Sequence, residues 1–192
     1  WTALNQPEKA GDALKKAAMA LAARGDGDRA VELLLKHAGP QAAEPYVMNA
    51  AEALARKGQH ARAGEMFEQF GRHAQAGAAF EYAASQTPQE QPRRQLFTRA
   101  AVAYRNAGDL LGCGRALEAA GYLDKAVEAY QRGEQWDQAA RLMNAMGQAE
   151  AAARLLVEKG MGQHAVSYLE SQGDYAAAAH AAMASGDAVK AA

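Results

Sequence analysis

Three glycines crowd into GDLLGCGRAL, at Gly108, Gly112 and Gly114. Glycine-rich backbone can cradle a phosphate with its N–H groups, but the loop needs a strand before it and a Lys-Ser/Thr pair or a further glycine in register after it. No alternating strand pattern precedes Gly108, and position 117 is Leu. Metal chemistry has five histidines to draw on: His37, His60, His73, His164 and His180. His60 and His73 each follow a glycine by two residues and so fall on equivalent positions. A metal site there needs a third ligand, with Glu65 and Glu81 as the acids to weigh. Two surface histidines at helix starts are the simpler reading. Cys113 sits among small residues with no partner placed to activate a thiolate, which makes it a buried small hydrophobe. There is no Gly-x-Ser-x-Gly and no His-Glu-x-x-His, and Glu128, Asp137, Glu150 and Glu158 are spread over polar positions. The expectation is therefore no catalytic residue, no metal and no cofactor.

These residues hang on a regular lattice. From Gly108 glycine returns at 121, 133, 147, 160, 173 and 186, and Gly58 and Gly71 show the same thirteen-residue step. Five residues after each glycine comes a small residue and nine after comes a larger apolar one. The pairs are Ala63/Phe67, Ala76/Phe80, Cys113/Leu117, Ala126/Tyr130, Ala152/Leu156 and Ala165/Leu169. The Gly133 unit carries its pair one place late, as Ala139/Met143, and the Gly173 unit weakens to Ala178/Ala182. Residues four apart share one face of a helix, and glycine readily takes the left-handed conformation that ends one helix before the next begins. The pattern predicts an array of short helices, each with one apolar stripe.

Alanine accounts for 51 of 192 residues, which favours helix and leaves most of the packing to the larger stripe residues. Scarce β-branched residues and the absence of alternation make the chain all-α. The net charge of -1 gives no electrostatic ground for nucleic acid or an anionic membrane. The basic run of Arg93, Arg94, Arg99, Arg105 and Arg115 is interleaved with Glu90, Asp109 and Glu118 and reads as ordinary surface. A single cysteine and no signal-peptide or bilayer-spanning run fit a cytoplasmic protein without direct membrane insertion. Trp1 in place of Met, and an end in mid-unit after Ala188, are expected of a segment of a longer protein.

Longer helices precede some of the glycines. Leu14, Ala17, Ala18 and Leu21 lead to Gly25; Val47, Ala50, Ala51 and Leu54 lead to Gly58; Phe97, Ala100, Ala101 and Tyr104 lead to Gly108. In this the chain resembles the tetratricopeptide repeat family, most closely over 94–121, where Phe97, Ala101, Tyr104, Gly108, Cys113, Leu117 and Ala120 match the family's positions. Repeats 11–44 and 45–70 follow, and Trp1–Pro7 looks like the tail of a preceding helix. The signature Trp is absent, and Ala18, Ala51 and Ala101 replace the glycine at the helix crossing. The resemblance covers about 1–121. Residues 121–192, with short helices at a thirteen-residue period, look more like the solenoids of vesicle-coat and intraflagellar-transport subunits. SQTPQEQPRR, residues 85–94, has two prolines and no apolar residue and is expected to be a loop.

The resemblance implies a right-handed superhelical α-solenoid of stacked antiparallel helix pairs running through 1–192. It also implies a concave groove lined by the first helix of each pair. Carried over position by position, that groove takes Lys15, Met19 and Ala22, then Met48, Glu52 and Arg56, then Thr98, Val102 and Arg105. Met19 stands where the family's carboxylate clamp has asparagine, so an adaptable apolar contact to a protein partner is expected rather than capture of a C-terminal tail. The favoured function is a non-catalytic interaction scaffold. The alternative is a regulatory or assembly arm of a multidomain signalling, polarity or transport protein, for example one that docks a small Ras-like GTPase. An enzyme has the least support.

Overall fold

The computed structural model describes residues 7–171 and 173–184. Within them lie thirteen α-helices and no strand. They fall into two compact units, residues 1–108 and 109–192. The first holds α1 (Pro7–Ala23), α2 (Gly27–Ala38), α3 (Pro40–Ala43), α4 (Val47–Arg56), α5 (His60–Gln69), α6 (His73–Ser85) and α7 (Glu90–Asn106). The second holds α8 (Leu110–Ala119), α9 (Leu123–Arg132), α10 (Trp136–Ala145), α11 (Ala149–Glu158), α12 (Gly162–Ser171) and α13 (Tyr175–Ala184). Apart from the one-turn α3, which leads through a 3-10 turn into α4, each helix packs chiefly on the next within its unit. The division falls after Gly108, ahead of residue 121, where the sequence pattern changes character.

Helices begin at residues 47, 60 and 73 in the first unit and at 110, 123, 136, 149, 162 and 175 in the second, a step of thirteen throughout. The structure is thus more regular than its glycines, whose steps of 12 and 14 flank Gly133. The left-handed residue of that turn is Glu134, with φ 57°, so Ala139 and Met143 are in register after all. Gly133 has another job. A Cβ there would lie 2.8 Å from the Leu110 Cβ, so the glycine marks where α8 presses on the end of α9. Elsewhere the turns close as expected: Gly121 N–H donates to the Glu118 carbonyl at 2.9 Å and Tyr122 N–H to that of Leu117 at 2.9 Å. The Asp109 carboxylate accepts from Gly112 N–H at 2.8 Å and caps α8.

The 85–94 loop is shorter than its composition suggests. Ser85 ends α6 and Glu90 begins α7, which leaves Gln86–Gln89 as the connection. Pro92 is the third residue of α7. The first N–H groups of a helix have no partner within it, so proline removes nothing there. Of the stretch Trp1–Pro7, expected as the tail of a preceding helix, Pro7 instead opens α1, while residues 1–6 and 185–192 lie outside the described residues.

Every small and large residue of the stripes from Ala63/Phe67 to Ala178/Ala182 is buried except Leu117, which is half-buried. The layers also interlock by size. Gly64, Gly77 and Gly114 each follow a buried small residue, and each receives an aromatic ring from a following helix. A Cβ at these positions would fall 2.6 Å from the Phe80 ring, 2.7 Å from Tyr104 and 2.5 Å from Tyr130. Further along, the glycine is replaced and the incoming side chain shrinks. Ala140, Leu156, Ala153 and Leu169 share one cluster with Met143, Val166 and Ala182, and Val127 packs against the same cluster. At the three glycines small meets large, which lets the rings pack without a void.

Candidate interaction surface

Charged side chains reach past their neighbours and reveal which helices stand side by side. In the first unit Arg99 of α7 donates to Glu65 at 2.8 Å and to Glu68 at 2.9 Å, both on α5. Its guanidinium lies 4.2 Å from the centroid of the Phe80 ring on α6. α7 therefore stands beside α5, with α6 behind the pair. Arg62 of α5 pairs with Glu32 of α2 at 3.6 Å, while Arg72, leading into α6, pairs with Glu44, leading into α4, at 3.5 Å. One row thus holds α2, α5 and α7; the other holds α4 and α6, with α1 on that side of α2 by the same alternation.

The second unit repeats the arrangement. Arg141 of α10 reaches Glu118 of α8 at 2.7 Å, and Tyr130 of α9 donates its hydroxyl to the same carboxylate at 3.0 Å. His164 of α12 meets Asp137 of α10 at 2.8 Å. In both units an acid ten residues after a left-handed glycine (Glu68, Glu118) is held by an arginine two helices on, across an aromatic ring. Burial opposes the Glu118 charge, but the hydrogen bonds from Arg141 and Tyr130 outweigh it and hold the carboxyl below its ordinary value. The hydrogen bond to Glu118 raises Arg141. Burial and then the bond to Glu118 push the Tyr130 phenol up to about 12. Burial works against the Arg99 charge too, yet the bonds to Glu65 and Glu68 leave its pKa raised.

The residues carried over from the repeat resemblance all lie in the first unit. Lys15 and Met19 are exposed on α1, and Met48, Glu52 and Arg56 are exposed on α4. The apolar members face solvent, with Met19 60% and Met48 38% exposed. On α7, Val102 and Arg105 are exposed, and the half-buried Thr98 donates its hydroxyl to the Arg94 carbonyl at 2.8 Å. The expected single surface of three helices needs correction here. The unit 71–85 forms a full helix, α6, and one added helix shifts α7 into the other row. Thr98, Val102 and Arg105 stand on the α5 side, away from Met48, Glu52 and Arg56.

Other sequence candidates find structural places. Cys113 is buried at its small-residue position in α8, and Gly112 and Gly114 are buried in the same helix. The His60 ring meets Tyr82 edge-on at 4.3 Å. Among the described residues no group of three His, Cys, Asp or Glu could hold a metal ion, and no helix is long and apolar enough to cross a membrane. Two grooves in the second unit escaped the sequence reading, one of about 550 Å³ between α11 and α13 and one of about 320 Å³ between α10 and α12. Their linings mix alanines and stripe residues with scattered charged and polar groups, whose spacing carries no signal beyond helix packing. The search of protein-family models and of curated proteins finds no match to the chain.

Proposed function

We propose that this chain is a non-catalytic interaction scaffold, a right-handed tetratricopeptide-like solenoid that captures a protein partner on the α1 and α4 side of its first unit. The observation that carries this reading is the exposure of Met19 and Met48 on a stack whose other large apolar residues are mostly withdrawn into the layer interfaces. Solvent-facing apolar groups repeated along one row, rimmed by charge, are a common mark of an interaction site. Lys15, Glu52 and Arg56 supply that rim, and flexible methionines adapt to a helix or loop of the partner.

The test is partner capture from the native source, quantified with the recovered partner. Met19→Asp with Met48→Asp should abolish binding and leave the helical circular dichroism and Tm nearly unchanged. Val102→Asp, in the other row, should leave binding intact. Native affinity in the double variant would remove the basis for this surface, and loss in Val102→Asp alone would move the site to the α5–α7 row.

A further inference from the structure

The groove between α11 and α13 has the features of a second docking site. Ala153 and Val157 of α11 form one wall, Ala177 and Ala181 of α13 form the other, and Leu169 of α12 closes the floor. The walls are apolar and the helices short, each ten residues and so about 15 Å long. That length accommodates about three turns of a partner helix, presented as anchors at helical spacing. The rim decides its charge. Arg154 is tied to Glu150 at 3.1 Å, which neutralises that pair. Glu158 and Asp174 are both exposed and have no ion pair among the described residues, although Asp174 accepts from Ala177 N–H at 3.0 Å.

We propose that this groove binds a basic amphipathic helix of a partner protein, its apolar stripe on Leu169, Val157 and the alanines and its Lys or Arg residues against Glu158 and Asp174. The surface is independent of the Met19/Met48 site and can stand if that one falls. Apolar burial supplies the affinity, and the two carboxylates choose the sign of the occupant.

The full chain is titrated by fluorescence anisotropy with two labelled synthetic helices of identical leucine stripe, one with lysine and one with glutamate at the remaining positions. The lysine helix should bind about tenfold more tightly than the glutamate helix or better. Two variants should each weaken the lysine helix about tenfold. Glu158→Lys with Asp174→Asn reverses the sign of the rim charge and keeps a cap on α13. Ala177→Trp fills the groove, with circular dichroism confirming the fold. Met19→Asp with Met48→Asp should change nothing. Equal binding of both helices overturns the proposal, as does binding that survives both variants or is lost on changing Met19 and Met48. Sedimentation showing a dimer that Ala177→Trp dissociates would assign the groove to a second copy instead and equally overturn it.

Discussion

Gly114→Ala should destabilise the second unit, against the usual effect of this substitution within a helix. Alanine in a helix interior is ordinarily about 1 kcal/mol better than glycine. Here the added methyl would lie 2.5 Å from the Tyr130 ring, well inside the roughly 3.5–4.0 Å at which carbons pack. The ring has nowhere to turn. Tyr130 is 1% exposed, and its hydroxyl is held by Glu118 at 3.0 Å, itself gripped by Arg141 at 2.7 Å. Overpacking of this kind costs about 1–3 kcal/mol, and a pinned aromatic belongs at the upper end. The net expectation is a loss of about 1–2 kcal/mol after the gain in helix propensity. In a Tyr130→Leu background the obstacle is gone, and the same Gly114→Ala change should stabilise by up to about 1 kcal/mol. Urea unfolding of the four proteins, followed by circular dichroism, gives the cycle. Additivity within about 0.5 kcal/mol, or a stabilising Gly114→Ala in the native background, would show that the ring and the glycine are not matched.

Glu134→Gly should stabilise by about 1 kcal/mol in the same assay, because a left-handed non-glycine residue carries about that strain. Asp109→Ala should lose about 1 kcal/mol with the α8 cap. Leu156→Ala should cost about 2–5 kcal/mol, the range for a leucine with its side chain withdrawn from solvent. The Tyr130 phenol is raised in the folded chain, so its contribution is complete below the ordinary phenol pKa and is lost as pH climbs from about 10 to about 12. Alkaline unfolding should lose that component in Tyr130→Phe, with phenolate absorbance as the readout. Glu118 runs the other way: its lowered pKa stabilises above the ordinary carboxylate range, and that support disappears as pH falls through the lowered value.

The glycine period and the small/large pairs made the helices legible because both report on local chemistry: which residue turns left-handed, and which face is apolar. The same local logic misread Pro92, since its effect depends on position within the helix rather than on its identity. It placed the α9–α10 turn correctly at Gly133 but could not show that Glu134 takes the left-handed conformation there, or that the glycine accommodates a close approach by Leu110 from a different helix. The row assignment of α7 was hidden for a third reason. Whether Val102 joins Met48 depends on how many helices lie between them, and the Ala76/Phe80 helix that the lattice marks has no place in the two-helix repeat register from which the groove was carried over. The acids Glu68 and Glu118 could have been found by extending the lattice to its tenth position, where both fall.

The interlocking sizes also bear on how such a chain can change over evolutionary time. Gly64 and Phe80, Gly114 and Tyr130, Val127 and Met143, Ala140 and Leu156, Ala153 and Leu169, and Val166 and Ala182 are all sixteen residues apart. In the Gly64/Phe80 and Gly114/Tyr130 pairs the ring fills the space that a Cβ would take, so bulk gained by one member must be surrendered by the other. Among relatives the two positions should drift together while their summed volume stays nearly fixed. Such coupling would appear as covariation at a lag of sixteen, the thirteen of one repeat plus three more along the helix. At the α6–α7 step the lag lengthens, and Gly77 answers to Tyr104 instead. An insertion between layers would thus be recorded in a family's substitutions as a shift of that lag.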